Sequence, residues 1–333
     1  VTSNVTIRHV RVPFRTPFAT AAGEWTARES WIVVVRGPDG RVGIGEALGG
    51  DDAALAGAVA AAELDLSAAP LVALGRNGPG VGVNATLPGL DPLTTAQVAR
   101  MAVAAGYRTL KLKAGARDSL GELVVRVASV RDAVGDAIAL RLDANGTWLL
   151  DEATARLEAL ARYGLQYVEQ PMAPRGSAAL DEAAELRRRV GVAVRVAADE
   201  AVASLADARL LLEAGAADVL VVKPGRVGGP VVVADIARLA AEHGVPVVIS
   251  SMFETGVGLA AGLRCAALLP DVPGWPAAER DHGLATADLL VDDLLVEPLA
   301  VDRGRMRVPG GPGSGGLGVV LDEAAMARYD VAS

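Results

Sequence analysis

A chain of 333 residues, 51% hydrophobic and 22% charged, is long enough for one large or two ordinary globular domains and is too apolar to be disordered. Its formal net charge of −8 argues against a general nucleic-acid binder. No apolar stretch reaches the roughly 18 uncharged residues that a membrane span needs, and GVGLAAGLRCAALLP is broken by Arg264.

Residues 1–80 read as an α+β unit. A strand-like start, NVTIRHVRVPF, is followed by a second pair, SWIVVVRGPDGRVGIGEAL, joined at a PDG turn, and then by an Ala-rich helix pattern from Asp51 to about Leu66. VTSNVTIRHV lacks a basic segment leading into an apolar one, so no secretory leader is expected there. The lone cysteine, Cys265, lies in an apolar helical pattern and reads as a small buried hydrophobe, which suits a reducing cytoplasm.

From residue 81 a rhythm sets in. The β-rich runs are VGVNA (81–85), TLKLK (109–113), AIALRLDAN (137–145), QYVEQP (166–171), RVAADE (195–200), DVLVVKP (218–224), PVVISS (246–251) and HGLAT (282–286). Each is followed by a helix-like stretch, and the anchors Lys113, Asp143, Glu169, Asp199, Lys223 and Ser250 succeed one another at 24 to 30 residues. That spacing is one strand, one helix and two short loops, hence a parallel sheet. Eight such units imply a closed (β/α) barrel over 81–298. After residue 298 short strand and turn signals return, and this tail (299–333) is expected to pack on the N-terminal unit.

The polar residues fall at the C-terminal ends of the strands, where barrels of this kind carry their chemistry. In TLKLKAG, Leu110 and Leu112 alternate with Lys111 and Lys113, so the lysines share the opposite face and point into the barrel mouth. Arg141, Asp143 and Asn145 face inward on strand three; Glu169 ends strand four, Asp199 and Glu200 strand five, Lys223 strand six, and Ser250 and Ser251 strand seven. One acid alone reads as a helix cap or an ion-pair partner. Three, Asp143, Glu169 and Asp199, at matched strand ends form an all-oxygen set suited to Mg²⁺. A lysine serves as a base only if its ordinary value falls, and a neighbouring cation such as Lys111 has that effect on Lys113. The chemistry that needs a hard cation between lysines is removal of a proton next to a carboxylate.

Other signals read as structural. KPGRVGGP lacks the G-x-G-x-x-G spacing and more simply permits a tight turn beside Lys223. Arg187 to Arg189 form a solvated helix face, His243 ends a helix before Gly244, and His282 is assigned a structural role.

In this order K-x-K, D-x-N, V-E-Q-P, A-D-E and V-x-K-P resemble the enolase superfamily, in its muconate-lactonizing subgroup. Within it, VNATLPG, RLDANGTW, YVEQPMA, VAADEAV, VVKPGRVGG, VVISSMFETGVGLAAG and HGLATADLLVDDL are most similar to the o-succinylbenzoate synthase family. The resemblance implies an α/β fold: a (β/α)₇β TIM-type barrel with an α+β capping domain formed by the N-terminal segment and the C-terminal tail. It implies a Mg²⁺-dependent lyase of menaquinone biosynthesis that dehydrates a cyclohexadiene carboxylate bearing a succinyl chain. Lys113 would abstract the proton and return it to the departing hydroxyl, Lys223 would stabilise the intermediate, and Asp143, Glu169 and Asp199 would hold the metal. Ser250, Ser251 and the amides opening GVGLAAG would bind the succinyl carboxylate, with Asn145 and Gly283 also against substrate. The loop FATAAGEWTARES would form a lid carrying Arg28 as a further carboxylate contact. An N-acylamino acid racemase, dipeptide epimerase or cycloisomerase using the same lysines is the alternative. The implied partner is a small-molecule carboxylate, with neither nucleic acid nor membrane, and a homo-oligomer is compatible with it.

Overall fold

The computed structural model describes residues 4–20, 23–67, 80–115, 118–176, 178–310 and 317–331. Its first three strands, β1 (Asn4–Thr20), β2 (Gly23–Arg36) and β3 (Val42–Ala47), form an antiparallel sheet in that order, backed by the helix Asp52–Ser67. The run Ile32-Val33-Val34-Val35 is apolar on both faces because both faces are covered. Val33 and Val35 meet Ala58 and Ala62 of the helix, whereas Ile32 and Val34 join Val10, Val12 and Phe14 against Val257, Ala260 and Met326. FATAAGEWTARES, expected as a loop, is mostly strand: Phe18 pairs with Trp25 and Val12 with Arg28 across the β1–β2 hairpin, and only residues 21 and 22 of it lie outside the described residues.

The barrel follows. Seven parallel strands stand in sequence order: β5 (Ala85–Leu87), β6 (Thr109–Lys113), β7 (Ala139–Asp143), β8 (Leu165–Glu169), β9 (Val196–Ala198), β10 (Val219–Val222) and β11 (Val247–Ile249). The helices Pro92–Ala104, Leu120–Val134, Leu150–Leu160, Ala179–Val190, Leu205–Glu213, Pro230–Glu242 and Gly256–Ala267 cover them. Period two decides the layers. Leu110, Leu112, Leu140, Leu142 and Val168 pack outward on Leu123, Val127, Leu157 and Leu160, each buried side chain contributing about 1.5–3 kcal/mol, and the alternate residues are left for the interior.

Two expected strands differ. VGVNA splits: Val81–Gly82 (β4) pairs antiparallel with β13 (Arg305–Met306), itself paired with β12 (Val301–Asp302), and the residues from Val83 onward enter the barrel. HGLAT shrinks to His282 and Gly283, which bridge Val83 and Ser250 in parallel and close the ring. Beyond them the chain turns away, with Thr286 N–H donating to Leu284 O at 2.9 Å. The tail therefore divides. Residues 301–306 stay with β4, whereas Tyr329 O and Val331 N–H bond β1, and Arg8 of β1 pairs with Glu323 and Asp330. Among the described residues no helix is long and apolar enough to cross a membrane.

Candidate active site

Register brings the rim groups together. Lys113, Asp143 and Glu169 are lateral neighbours on β6, β7 and β8, and Lys111 stands beside Arg141 one layer below. Lys111 Nζ donates to Asp143 Oδ2 (3.1 Å) and Glu169 Oε1 (2.9 Å). Lys113 Nζ donates to Asp143 Oδ2 (2.6 Å) and Asn145 Oδ1 (2.9 Å), and Lys223 Nζ to Asp199 Oδ2 (2.5 Å). Asn145 Nδ2 donates in turn to Glu200 Oε1 at 3.0 Å. Its amide is thereby locked in one orientation, oxygen to Lys113 and nitrogen to Glu200.

Four carboxylates face three ammonium groups in a largely buried setting, and burial and charge together move their proton affinities. Burial, then Asp143, pushes the Glu169 carboxyl up to about 8, and burial with Asp199 raises Glu200. Asp143 goes the other way: burial alone would raise it, but Lys111 and Lys113 outweigh burial and hold it well below the carboxylate range. Burial alone would lower Lys111, yet Asp143 and Glu169 keep it firmly charged. Lys223 is raised in the same way, Asp199 and Glu169 overcoming burial.

The acids do not meet at one point. Among the described residues no three Asp, Glu, His or Cys groups stand close enough to share an ion; Asp143, Glu169 and Asp199 each instead turn an oxygen to a nearby ammonium group, which offsets the mutual repulsion of buried anions. The set nonetheless fits a hard divalent cation in its donor chemistry. All donors are oxygen, and Asp199 Oδ1 and Glu200 Oε2 are buried without a hydrogen-bond partner.

Supporting residues that the motif reading left without a role surround this core. Gln170, left-handed at φ 38°, accepts from Asp199 N (2.9 Å) and Ala201 N (3.1 Å), and so fixes the backbone that presents Asp199. The fully buried Arg141 lies under the rim, bonded to Gln166, Asn84 and the Asp281 carbonyl and stacked 4.8 Å from the Tyr167 ring. Both sit inside quoted motifs, and the signal was available in VEQP and LRLD. Behind Gln170, a cavity of about 210 Å³ walled by Met172, Leu186 and Leu211 is lined by none of the rim lysines or acids.

The expected substrate contacts are placed differently. Ser251 Oγ donates to Glu254 Oε2 (2.6 Å), while Ser250 N–H donates to Val222 O. Gly283 spends its N–H on Ile249 O and its C=O on Ser251 N–H in closing the barrel; a Cβ there would lie 2.6 Å from Ser250 Oγ. The amides opening GVGLAAG are already occupied, two of them by the protein's own carboxylates and that of Val257 by the Thr255 hydroxyl. Gly256 N–H donates to Asp293 Oδ1 (2.7 Å) and Gly258 N–H to Glu46 Oε2 (2.8 Å). Arg28 is buried on β2, stacked on Trp25 and bonded to Met252 O at 3.1 Å, and is not in a lid loop. Glu46 and Asp293 come from distant segments, and no local pattern in the sequence marks them.

Over residues 94–325 the chain matches the family described as Enolase C-terminal domain-like. An o-succinylbenzoate synthase of Thermobifida fusca (strain YX) is 43% identical over 220 residues, 66% of this chain and 63% of that protein. One of Mycobacterium ulcerans (strain Agy99) is 40% identical over 224 residues, 67% of this chain and 62% of that protein. The chain thus spans somewhat under two thirds of the length of the curated relatives it matches. Among solved structures, an enolase-superfamily member of unknown function from Enterococcus faecalis V583 superposes with a TM-score of 0.83 at 25% identity, covering 98% of this chain and 96% of that one. A probable mandelate racemase from Alicyclobacillus acidocaldarius gives 0.82 at 27% identity, over 99% and 97%. The muconate lactonizing enzyme of Pseudomonas fluorescens gives 0.83 at 23% identity, over 98% of each chain, a likeness of fold.

Proposed function

The chain belongs to the enolase superfamily, and from that premise we propose that it is an o-succinylbenzoate synthase-like lyase: it removes the proton next to the carboxylate of a succinyl-bearing cyclohexadiene acid and expels the hydroxyl as water. The observation that carries this is the unequal exposure of three rim lysines. Lys113 is 34% exposed, against 10% for Lys111 and 16% for Lys223. The accessible amine is the one suited to exchange a proton with substrate; the two enclosed ones, held charged by their carboxylates, are suited to remain cations.

In this reading Asp143, Glu169 and Asp199 would hold a divalent cation, which supplies positive charge for the oxygens where negative charge develops. Lys113 takes the proton, and the C–H electron pair passes into the substrate's carboxylate as an enediolate. Reforming that carboxylate drives the pair into the ring double bond as the C–O bond breaks, and Lys113 returns its proton to the leaving hydroxyl. Lys223 stays protonated across the mouth and stabilises the intermediate. Asn145, locked by Glu200, keeps Lys113 in place. Place in menaquinone synthesis and work in the cytoplasm belong to the same proposal.

The matched pairing of Lys113 with Asp143 and Lys223 with Asp199 favours a second reading, a racemase, epimerase or cycloisomerase in which both lysines exchange protons. A spectrophotometric dehydration assay on the succinyl-cyclohexadiene acid, run with added Mg²⁺ and after chelation beside a panel of N-succinylamino acids, separates the two. Mg²⁺-dependent aromatisation supports the lyase; racemisation alone rejects it. Thermal stabilisation of the protein by Mg²⁺, lost in Asp199→Asn, tests the metal set without reference to turnover.

A further inference from the structure

Glu46, near the end of β3, gathers donors from two parts of the molecule. Its Oε1 accepts from Ser30 Oγ (2.7 Å) and Thr255 N (3.0 Å), and its Oε2 from Thr255 Oγ1 (2.7 Å) and Gly258 N (2.8 Å). Ser30 belongs to β2, whereas Thr255 and Gly258 open the helix Gly256–Ala267 that follows β11. All four lone-pair positions of one carboxylate are therefore in use. The glycine is required, because a Cβ on Gly258 would lie 2.5 Å from Glu254 Cβ and 3.0 Å from Glu46 Oε2.

The same short segment, Ser250 to Thr255, is tied to the N-terminal sheet twice more. Arg28 Nη1 donates to Met252 O at 3.1 Å, and the Phe14 ring stands edge-on to Phe253 with centroids 6.1 Å apart. Within the segment Glu254 Oε2 accepts from Ser251 Oγ (2.6 Å) and Met252 N (2.7 Å). Phe253 is held at φ 66°, a left-handed conformation that a non-glycine residue keeps only where the surroundings impose it. The segment continues directly from β11, the neighbour of β10, whose next residue is Lys223.

We propose that Glu46 is a positioning residue for specificity. By seating Ser250–Thr255 in its strained form it shapes the wall beside Lys223 and thereby sets which acyl chain a carboxylate substrate can carry there. The substrate half of this proposal rests on the lyase reading; the seating half does not.

The test has two arms on the full chain: backbone amide exchange across residues 250–258 read by mass spectrometry, and steady-state kinetics on the succinyl-cyclohexadiene acid beside an analogue with a shorter acyl chain. Glu46→Gln turns an NH₂ group towards donors, Thr255→Val removes one of them, and Thr255→Ser keeps the hydroxyl. In Glu46→Gln and Thr255→Val, exchange over 250–258 rises about tenfold while β10 and β11 keep their protection. KM for the succinyl substrate rises about tenfold with kcat within about twofold, preference over the shorter chain falls, and Thr255→Ser matches the wild type. Unchanged exchange overturns the proposal, as does a fall in kcat at constant KM with preference intact. If the wild type does not dehydrate the acid, the lyase reading fails while the exchange arm still decides the seating. If Glu46→Gln does not fold, the Thr255 pair carries the same comparison.

Discussion

Acid should weaken this protein through one histidine. His282 closes the barrel and is 1% exposed; its Nδ1 accepts from Ile249 N–H at 3.0 Å, which requires the neutral ring. Burial, with Arg141 and Arg280 nearby, lowers its pKa from 6.5 to about 3. The folded state thus binds the proton more weakly than the unfolded chain. The contribution is complete above pH 6.5 and is lost as the pH falls towards about 3. At about pH 4.5, two units below the unfolded value, the loss is about 3 kcal/mol, at about 1.4 kcal/mol per unit. His282→Asn supplies an amide oxygen to accept from Ile249 N–H but cannot titrate. Urea unfolding of both proteins at about pH 7.5 and about pH 4.5 isolates the effect, since every other titrating group cancels in the difference. The stability advantage of wild type over variant should shrink by about 3 kcal/mol on acidification. A gap that stays constant within about 0.5 kcal/mol would show that the ring is not held neutral by burial, and would refute the account.

Three further outcomes are expected. In the dehydration assay Lys223→Arg should retain more activity than Lys113→Arg, because a guanidinium still supplies charge but does not shuttle a proton; equal, complete loss in both counts against a single base. Gln170→Leu strands the buried Asp199 amide and the part-buried Ala201 amide, so it should cost about 1–3 kcal/mol in thermal or urea unfolding, and a neutral result would mean that those amides find other partners. Burial pushes the Cys265 thiol up to about 12, so the native protein should resist alkylation at neutral pH and label only on unfolding; rapid labelling of the folded chain would contradict its place in the core.

The rim was legible in the sequence because two periodicities carry it. Alternation along β6 and β7 fixes which face Lys111, Lys113, Arg141 and Asp143 take, and the strand–helix repeat fixes that Glu169, Asp199 and Lys223 arrive at the same end. Both rules act over one strand or one repeat, so tertiary context had little to change. Strand eight was less legible: HGLAT has the composition of a strand, but only His282 and Gly283 pair, since the sheet needs just two residues to close before Leu284 turns into the core.

What only the tertiary structure decided is where carboxylates from elsewhere in the chain come to rest. GVGLAAG opens a helix whose free amides favour an anion, and from the sequence alone that anion reads as the succinyl carboxylate of a substrate. Folding brings Glu46 across 209 positions to Thr255 and Asp293 across 37 to Gly256, filling the amides that looked open to substrate. Likewise Asp143, Glu169 and Asp199 are set against ammonium groups that neighbouring strands carry, a relation between segments that no single segment encodes. Local chemistry in this chain states what each residue can bind; the closing of long loops states which partner it meets.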